Sequence, residues 1–298
     1  MAIYDRAIVR LLPAVPRPVV RRISDRYIAG TELDDAEACV SRLNGSGMAA
    51  TVDVLGEEIH NEAEARAIAS AYRDALAAIE RERLDSNVSV KPTALGLKVD
   101  RELARSLLEE LVADARDRGN FVRIDMEDSS TTDATLDLYR RLRADGVDNV
   151  GVVLQARLRR TLGDVPDLHN VRLCKGIYLE PPAIAYQDAD EIRNSFRRSL
   201  AALLDQGTYV GVATHDEALI QHAVNEVRRR RLAREEYEFQ MLLGVRPERA
   251  DRLVRDGHRL RTYVPFGTHW YEYSLRRLQE NPAIAGYVAA DALRRLSR

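Results

Sequence analysis

Eight short β-branched runs recur along this chain, and most are separated by stretches long enough to form a helix. They occupy positions 50–55, 88–91, 121–126, 150–155, 171–175, 210–214, 237–241 and 261–265. The intervening segments 61–83 and 101–118 carry a helical period; in the first, Ala65, Ile68, Ala69, Tyr72 and Leu76 fall on one face. Strands joined by crossover helices pair in parallel. Eight such units are the number that closes a (β/α)8 barrel, usually in about 250 residues. The expected fold is therefore α/β, a TIM-type barrel over residues 46–298 preceded by an N-terminal helical arm over residues 1–45. An open doubly wound sheet is the alternative. Against it, no G-x-G-x-x-G follows the first run, and Gly45 and Gly47 precede it instead.

Local signals add detail. The connector 156–170 holds Pro166, so only a short helix fits there. In the arm, Thr31 is the expected cap of a helix over residues 32–43, and the first residues read as a short packed helix ending near Pro13. With 298 residues, 45% hydrophobic and 31% charged, the chain reads as soluble and globular, and its formal net charge of −2 argues against binding nucleic acid through global charge. Cys39 and Cys174 are too few for a disulfide framework and suit a reducing compartment, the cytoplasm. No apolar run approaches the roughly 18 residues of a membrane span. Asp5, Arg6, Arg10 and Arg17 interrupt the N-terminus, which therefore does not read as a signal peptide.

Chemistry in such a barrel gathers where strands end. The polar residues there are Asp53, Lys91, Asp125, Glu127, Gln155, Arg172, Lys175, Thr214, His215, Asp216, Gln240 and Tyr263. Ordinary strand ends carry Gly, Asn and Ser, so this density of large functional groups points to a site. His169, His215, His222, His258 and His269 lack ligand spacing, and no metal is expected. Cys174, between Leu173 and Lys175, reads as a core residue rather than a nucleophile, and the run 228–231 as a solvated helical face. Beyond the last strand, residues 268–282 read as a helix with Leu275 and Leu278 on its buried stripe. Tyr273 lies three and four residues before the adjacent Arg276 and Arg277, and Glu280 three and four after them. Paired guanidinium groups can clamp a carboxylate. On these residues alone two further readings stay open: a lyase using Lys91 or Lys175 as a Schiff-base amine, and a non-enzymatic barrel that binds an amino acid.

Six segments together resemble the proline dehydrogenase family in its small, single-function bacterial or archaeal form. They are 88–91 (VSVK), 123–127 (RIDME), 172–178 (RLCKGIY), 213–216 (ATHD), 238–244 (EFQMLLG) and 263–267 (YVPFG) running into 273–277 (YSLRR). The resemblance implies a distorted (β/α)8 barrel with FAD at its mouth, oxidising L-proline to Δ1-pyrroline-5-carboxylate by hydride transfer in the first step of proline catabolism. It further implies electrons passed to a quinone, hence peripheral contact with the inner face of the membrane, and a pyrroline-5-carboxylate dehydrogenase as acceptor of the product. By the same resemblance Asp125 and Arg172 serve the reaction at the flavin. Lys91, Tyr178, Leu242, Tyr263, Arg276 and Arg277 bind the substrate, the last two as the carboxylate clamp. Met126, Gln155, Arg172, Cys174, Lys175, Gly176, Thr214 and His215 fall in the flavin-binding stretches. Glu280 is grouped with them as the acid that pairs with an arginine of the clamp. The chain departs from the family at Ile177, where alanine is common and a branched side chain is expected to narrow the pocket or shift the flavin, and at Cys174, where valine is common.

Overall fold

A computed structural model describes residues 20–21, 24–56, 59–271 and 273–275. The eight strands form a closed parallel barrel in chain order: β1 (Ala49–Val54), β2 (Ser86–Val90), β3 (Val122–Ile124), β4 (Val150–Gln155), β5 (Asn170–Cys174), β6 (Tyr209–Ala213), β7 (Tyr237–Leu242) and β8 (Leu260–Phe266). Ladder closure comes from β1 pairing with β8, Ala49 opposite Arg261 through Val54 opposite Phe266. This excludes the open doubly wound sheet, and each strand lies within about two residues of its expected run.

The helices are α1 (Leu33–Gly45), α2 (Glu62–Arg81), α3 (Arg101–Asp117), α4 (Thr132–Ala144), α5 (Thr161–Asp164), α6 (Ala189–Asp205), α7 (Glu217–Arg230) and α8 (Pro247–Arg255). Side-chain oxygens of Asn61, Asp100, Asp188 and Asp216 accept backbone N–H bonds at the starts of α2, α3, α6 and α7. The β4–β5 connection holds only the four-residue α5, as its length and proline require. The cap of α1 is Glu32 rather than Thr31. Asp35 accepts from the backbone N–H groups of both, and its reciprocal bond with Glu32 closes a capping box.

The helix that precedes β1 packs on β8 and β1, the slot the eighth crossover helix fills in a regular barrel. Its Ala36, Cys39 and Val40 join the same apolar core as the strands. The segment after β8 is thereby released to the C-terminal end of the barrel. There Tyr273 and Trp270 pack with Ile28 and Leu55, and Ser24 bonds Ser274. The first 19 residues, including the helix expected near Pro13, lie outside the described residues.

The barrel interior is polar. Strand side chains alternate, and the inward set includes Ser89, Arg123, Asp125, Arg172, Glu238, Gln240, Arg261 and Tyr263, whose polar atoms bond one another or the facing backbone across the lumen. Barrels of this class are ordinarily filled by layers of Val, Ile and Leu. Here most aliphatic residues face the helices, and a column of charged and polar side chains fills the middle, most of the charges paired. Charges that deep are costly unless paired or hydrogen-bonded.

Candidate active site

At the C-terminal end of the column the strand-end residues converge. Asp125, just past β3, is the hub. Its Oδ1 accepts from Arg172 Nη1 at 2.6 Å and from Ser89 Oγ at 2.8 Å, and its Oδ2 accepts from Tyr263 Oη at 3.0 Å. Arg172 sits in mid-strand rather than at a strand end. It reaches up from β5, donates also to Gln240 Oε1 at 2.5 Å, and lies 5.3 Å over the Tyr263 ring. Burial, together with the Asp125 and Asp53 carboxylates, holds the Tyr263 phenol well above its usual range, so it stays a donor.

A second charge pair adjoins the hub. Lys91 Nζ bonds both carboxylate oxygens of Asp53 at 2.8 Å and lies 3.3 Å from Tyr263 Oη. Asp53, fully buried, also accepts from Tyr72 Oη at 3.0 Å. A lysine held in this way is a fixed ammonium, which is unsuited to attack a carbonyl. Lys175 sits at 3.3 Å from Asp216, which also binds Arg193 at 2.8 Å. The contacts of both lysines thus speak against the Schiff-base alternative. Burial would lift the Asp216 carboxyl, but the bonds and charges of Arg193 and Lys175 outweigh it and hold the group below its usual range.

The rim around this centre is set by backbone. Gln155 Nε2 donates to the Glu127 carbonyl at 2.6 Å, and Glu127 in turn accepts from Thr93 N at 3.0 Å. His215 Nε2 accepts from Leu242 N–H at 3.0 Å, which places the proton of the neutral ring on Nδ1. Met126 is buried. Gly176 has φ +88, and a Cβ there would stand 2.7 Å from Gln155 Oε1, so the chain turns tightly past that amide. The turn carries Ile177 outward. It is 45% exposed. Cys174 shares the inward parity of Arg172, and burial pushes its thiol up to about 11. The inward parity differs from the wall-facing side chain expected, and a thiol so raised is mostly unionised at neutral pH.

Two observations fit a bound flavin. Arg172 Nη2 is buried with no hydrogen-bond partner in the protein, so the guanidinium keeps an unused donor. At Gly176 the missing Cβ lets the turn pass directly against the Gln155 and Arg157 side chains, which fixes where the Gln155 amide stands. Among the described residues no group of three His, Cys, Asp or Glu is placed to hold a metal. Arg276, Arg277 and Glu280 lie outside the described residues.

Comparison with known proteins decides the family. The sequence matches the proline dehydrogenase family over residues 36–290. It is 38% identical to proline dehydrogenase 1 of Bacillus subtilis subsp. natto over 274 residues, 91% of this chain and 90% of that one. The chain belongs to the proline dehydrogenase family. The proline dehydrogenase of Deinococcus radiodurans is 33% identical over 308 residues, covering 98% of each chain. The fold also matches proline utilization A from Bdellovibrio bacteriovorus with a TM-score of 0.81 at 23% identity, over 87% of this chain and 32% of that one. The same protein of Corynebacterium freiburgense gives 0.76 at 20% identity, over 97% and 35%. This chain thus spans about a third of those longer proteins. Membership makes it an oxidoreductase acting on the CH–NH group of proline, the first step of proline catabolism, and implies a flavin cofactor.

Of the strand-end residues of the sequence reading, Asp53, Lys91, Asp125, Arg172, Gln240 and Tyr263 are joined by hydrogen bonds, while Gln155 with Glu127 and Lys175 with Asp216 form separate pairs. Ser89 and Tyr72 were missed as members of the site. Ser89 shares the inward parity of Lys91, which is the signal that finds it. Tyr72 lies on the buried face of α2, and a buried tyrosine hydroxyl needs a partner, here Asp53 and the Ser89 carbonyl at 2.7 Å. No helix among the described residues is long and apolar enough to cross a membrane.

Proposed function

We propose that the flavin is FAD, held at the barrel mouth by Met126, Gln155, Arg172, Cys174, Lys175, Gly176, Thr214 and His215, and that L-proline binds between it and the Asp125–Tyr263–Lys91 group. The observation that carries this reading is the buried, unpartnered Nη2 of the Arg172 that pairs with Asp125 through Nη1. A bound flavin supplies the hydride acceptor that no side chain can supply. Arg172 is placed to stabilise negative charge on such a ring as electrons arrive, and it is preorganised by Asp125, Ser89 and Gln240.

On the substrate side, Tyr263, Leu242 and Tyr178 form the wall for the pyrrolidine ring. Lys91 offers a fixed positive charge to the carboxylate. Arg276 and Arg277 complete a clamp, with Glu280 as the acid that pairs with one of them. Holding the carboxylate end fixes the C5–H opposite the acceptor, and pre-orientation of this kind contributes several kcal/mol. Asp125 has three donors on its two oxygens, so its part is to position Arg172 and Tyr263, and the amine proton passes to solvent. Electrons leave to a membrane quinone at the inner face of the cell membrane, and the product passes to a pyrroline-5-carboxylate dehydrogenase.

The test is twofold. Heat-released cofactor should chromatograph as FAD, in a ratio near one per chain. Arg276→Met and Arg277→Met should raise the proline KM steeply while bound flavin stays at the wild-type level. Release of a different flavin, or an unchanged KM in both variants, would sink the assignment.

A further inference from the structure

We propose that the opposite, N-terminal end of the barrel holds a second binding site, for a small oxyanion, with Arg123 on its floor and Arg83 at its rim. A cavity of about 590 Å3 opens there, lined from β2, β3, β5, β6, β7 and β8 and the loops that enter them, and separate from the mouth. That volume suits a small metabolite.

The charges that line the cavity do not balance. Five arginines face it, against three carboxylates. Arg118 is taken by Glu80, Arg261 by Glu238 at 2.9 Å, and Arg259 lies 3.4 Å from Glu238 and 3.8 Å from Asp85. Among the described residues, Arg83 and Arg123 have no carboxylate partner. Arg83 is exposed, at a left-handed φ of +52 in the turn before β2.

Arg123 is the stronger indication. It is 2% exposed, yet its acceptors are all neutral: the Val152 carbonyl at 3.1 Å, the Asn170 carbonyl at 2.9 Å, and Asn170 Oδ1. Its Nε is buried with no partner at all. The guanidinium is also fixed in place, 5.0 Å over the Phe121 ring and across Gly151, where a Cβ would come within 2.3 Å of Nη1. A buried guanidinium that is not directly paired is costly. Burial and the like charge of Arg172 push this group down to about 9, although the charges of Glu238 and Asp125 act in the opposite direction without bonding it. An oxyanion in the cavity supplies a direct counter-charge. A planar guanidinium on a rigid floor is the group best suited to bind phosphate or carboxylate.

Calorimetric titration of the purified, flavin-bearing protein with potassium phosphate, and separately with potassium citrate, at constant ionic strength tests this. The account expects saturable binding of one of them per chain, which tells phosphate from carboxylate chemistry. That binding should weaken at least tenfold in Arg83→Asn, where asparagine tolerates the left-handed backbone, and in Arg123→Gln. Arg276→Met should retain it, which separates this site from the substrate clamp. If Arg123→Gln does not fold, Arg83→Asn decides. Dissociation constants weaker than about 10 mM for both anions, binding unchanged in Arg83→Asn, or binding lost in Arg276→Met would each overturn the proposal.

Discussion

Asp125 and Arg172 form the ion pair on which the mouth is organised, and their mutual dependence can be measured. Asp125→Asn keeps the shape of the side chain but removes its charge. The Arg172 guanidinium, 7% exposed, would then keep only the neutral acceptors Ser89 and Gln240 beside the substituted amide. Breaking a buried pair by removing one partner costs about 3–5 kcal/mol. At roughly 2–4 °C per kcal/mol for a chain of this size, the melting temperature should fall by about 6–20 °C. Arg172→Met removes the charge that needed compensation. In the double variant Asp125→Asn/Arg172→Met the penalty should therefore fall short of the sum of the singles by about 2 kcal/mol or more. Denaturant unfolding of the four proteins at saturating flavin supplies the cycle. Additivity within about 0.5 kcal/mol would refute the view that Asp125 exists to hold Arg172.

Three other outcomes follow from the same geometry. Gly176→Ala forces a Cβ against Gln155 Oε1 at a φ of +88, so flavin content after gel filtration should drop, with about 1–2 kcal/mol lost in flavin affinity; full retention would show that the turn does not shape the flavin site. Tyr263→Phe keeps the ring but removes the donor to Asp125, at about 1.5–3 kcal/mol, and steady-state kinetics should show kcat/KM for proline lower by tenfold or more. The Cys174 thiol, pushed up to about 11, is almost wholly protonated at neutral pH. The same thiol sets a pH dependence. The unfolded chain ionises near 9 and the folded one near 11, so the folded state binds more protons in that window and stability falls as pH rises through it. Cys174→Ala should flatten this slope in pH-dependent unfolding.

The strands were legible because parallel barrel strands are buried on both sides and read as β-branched runs, and α2 because its apolar residues repeat at helical spacing. The polar residues that close those strands were legible too, since a charge at the end of an apolar run has no structural reason to be there. Their partners were not. Lys91 on β2 meets Asp53 on β1, and Arg172 on β5 meets Asp125 beyond β3 and the ring of Tyr263 on β8; only closure of the barrel decides these pairings. Arg123, Glu238 and Arg261 were given no role for another reason, although the first two stand in the RIDME and EFQMLLG segments. They lie low in the lumen, where aliphatic layers are the expectation, although their alternation with Val122, Phe239 and Thr262 is plain in the sequence. Glu32 displaced Thr31 as the cap of α1 because Asp35 answers its backbone, a reciprocal bond that a single cap residue does not reveal.

The central claim is that proline, bound beside Asp125 and Tyr263, reduces a flavin carried by this chain. An anaerobic absorbance spectrum of the purified protein, taken before and after adding L-proline without any other electron acceptor, tests it most directly. The account predicts a yellow protein whose visible flavin bands bleach on addition of proline and return when a quinone is admitted. A flavin-bearing protein whose spectrum proline leaves unchanged would contradict it.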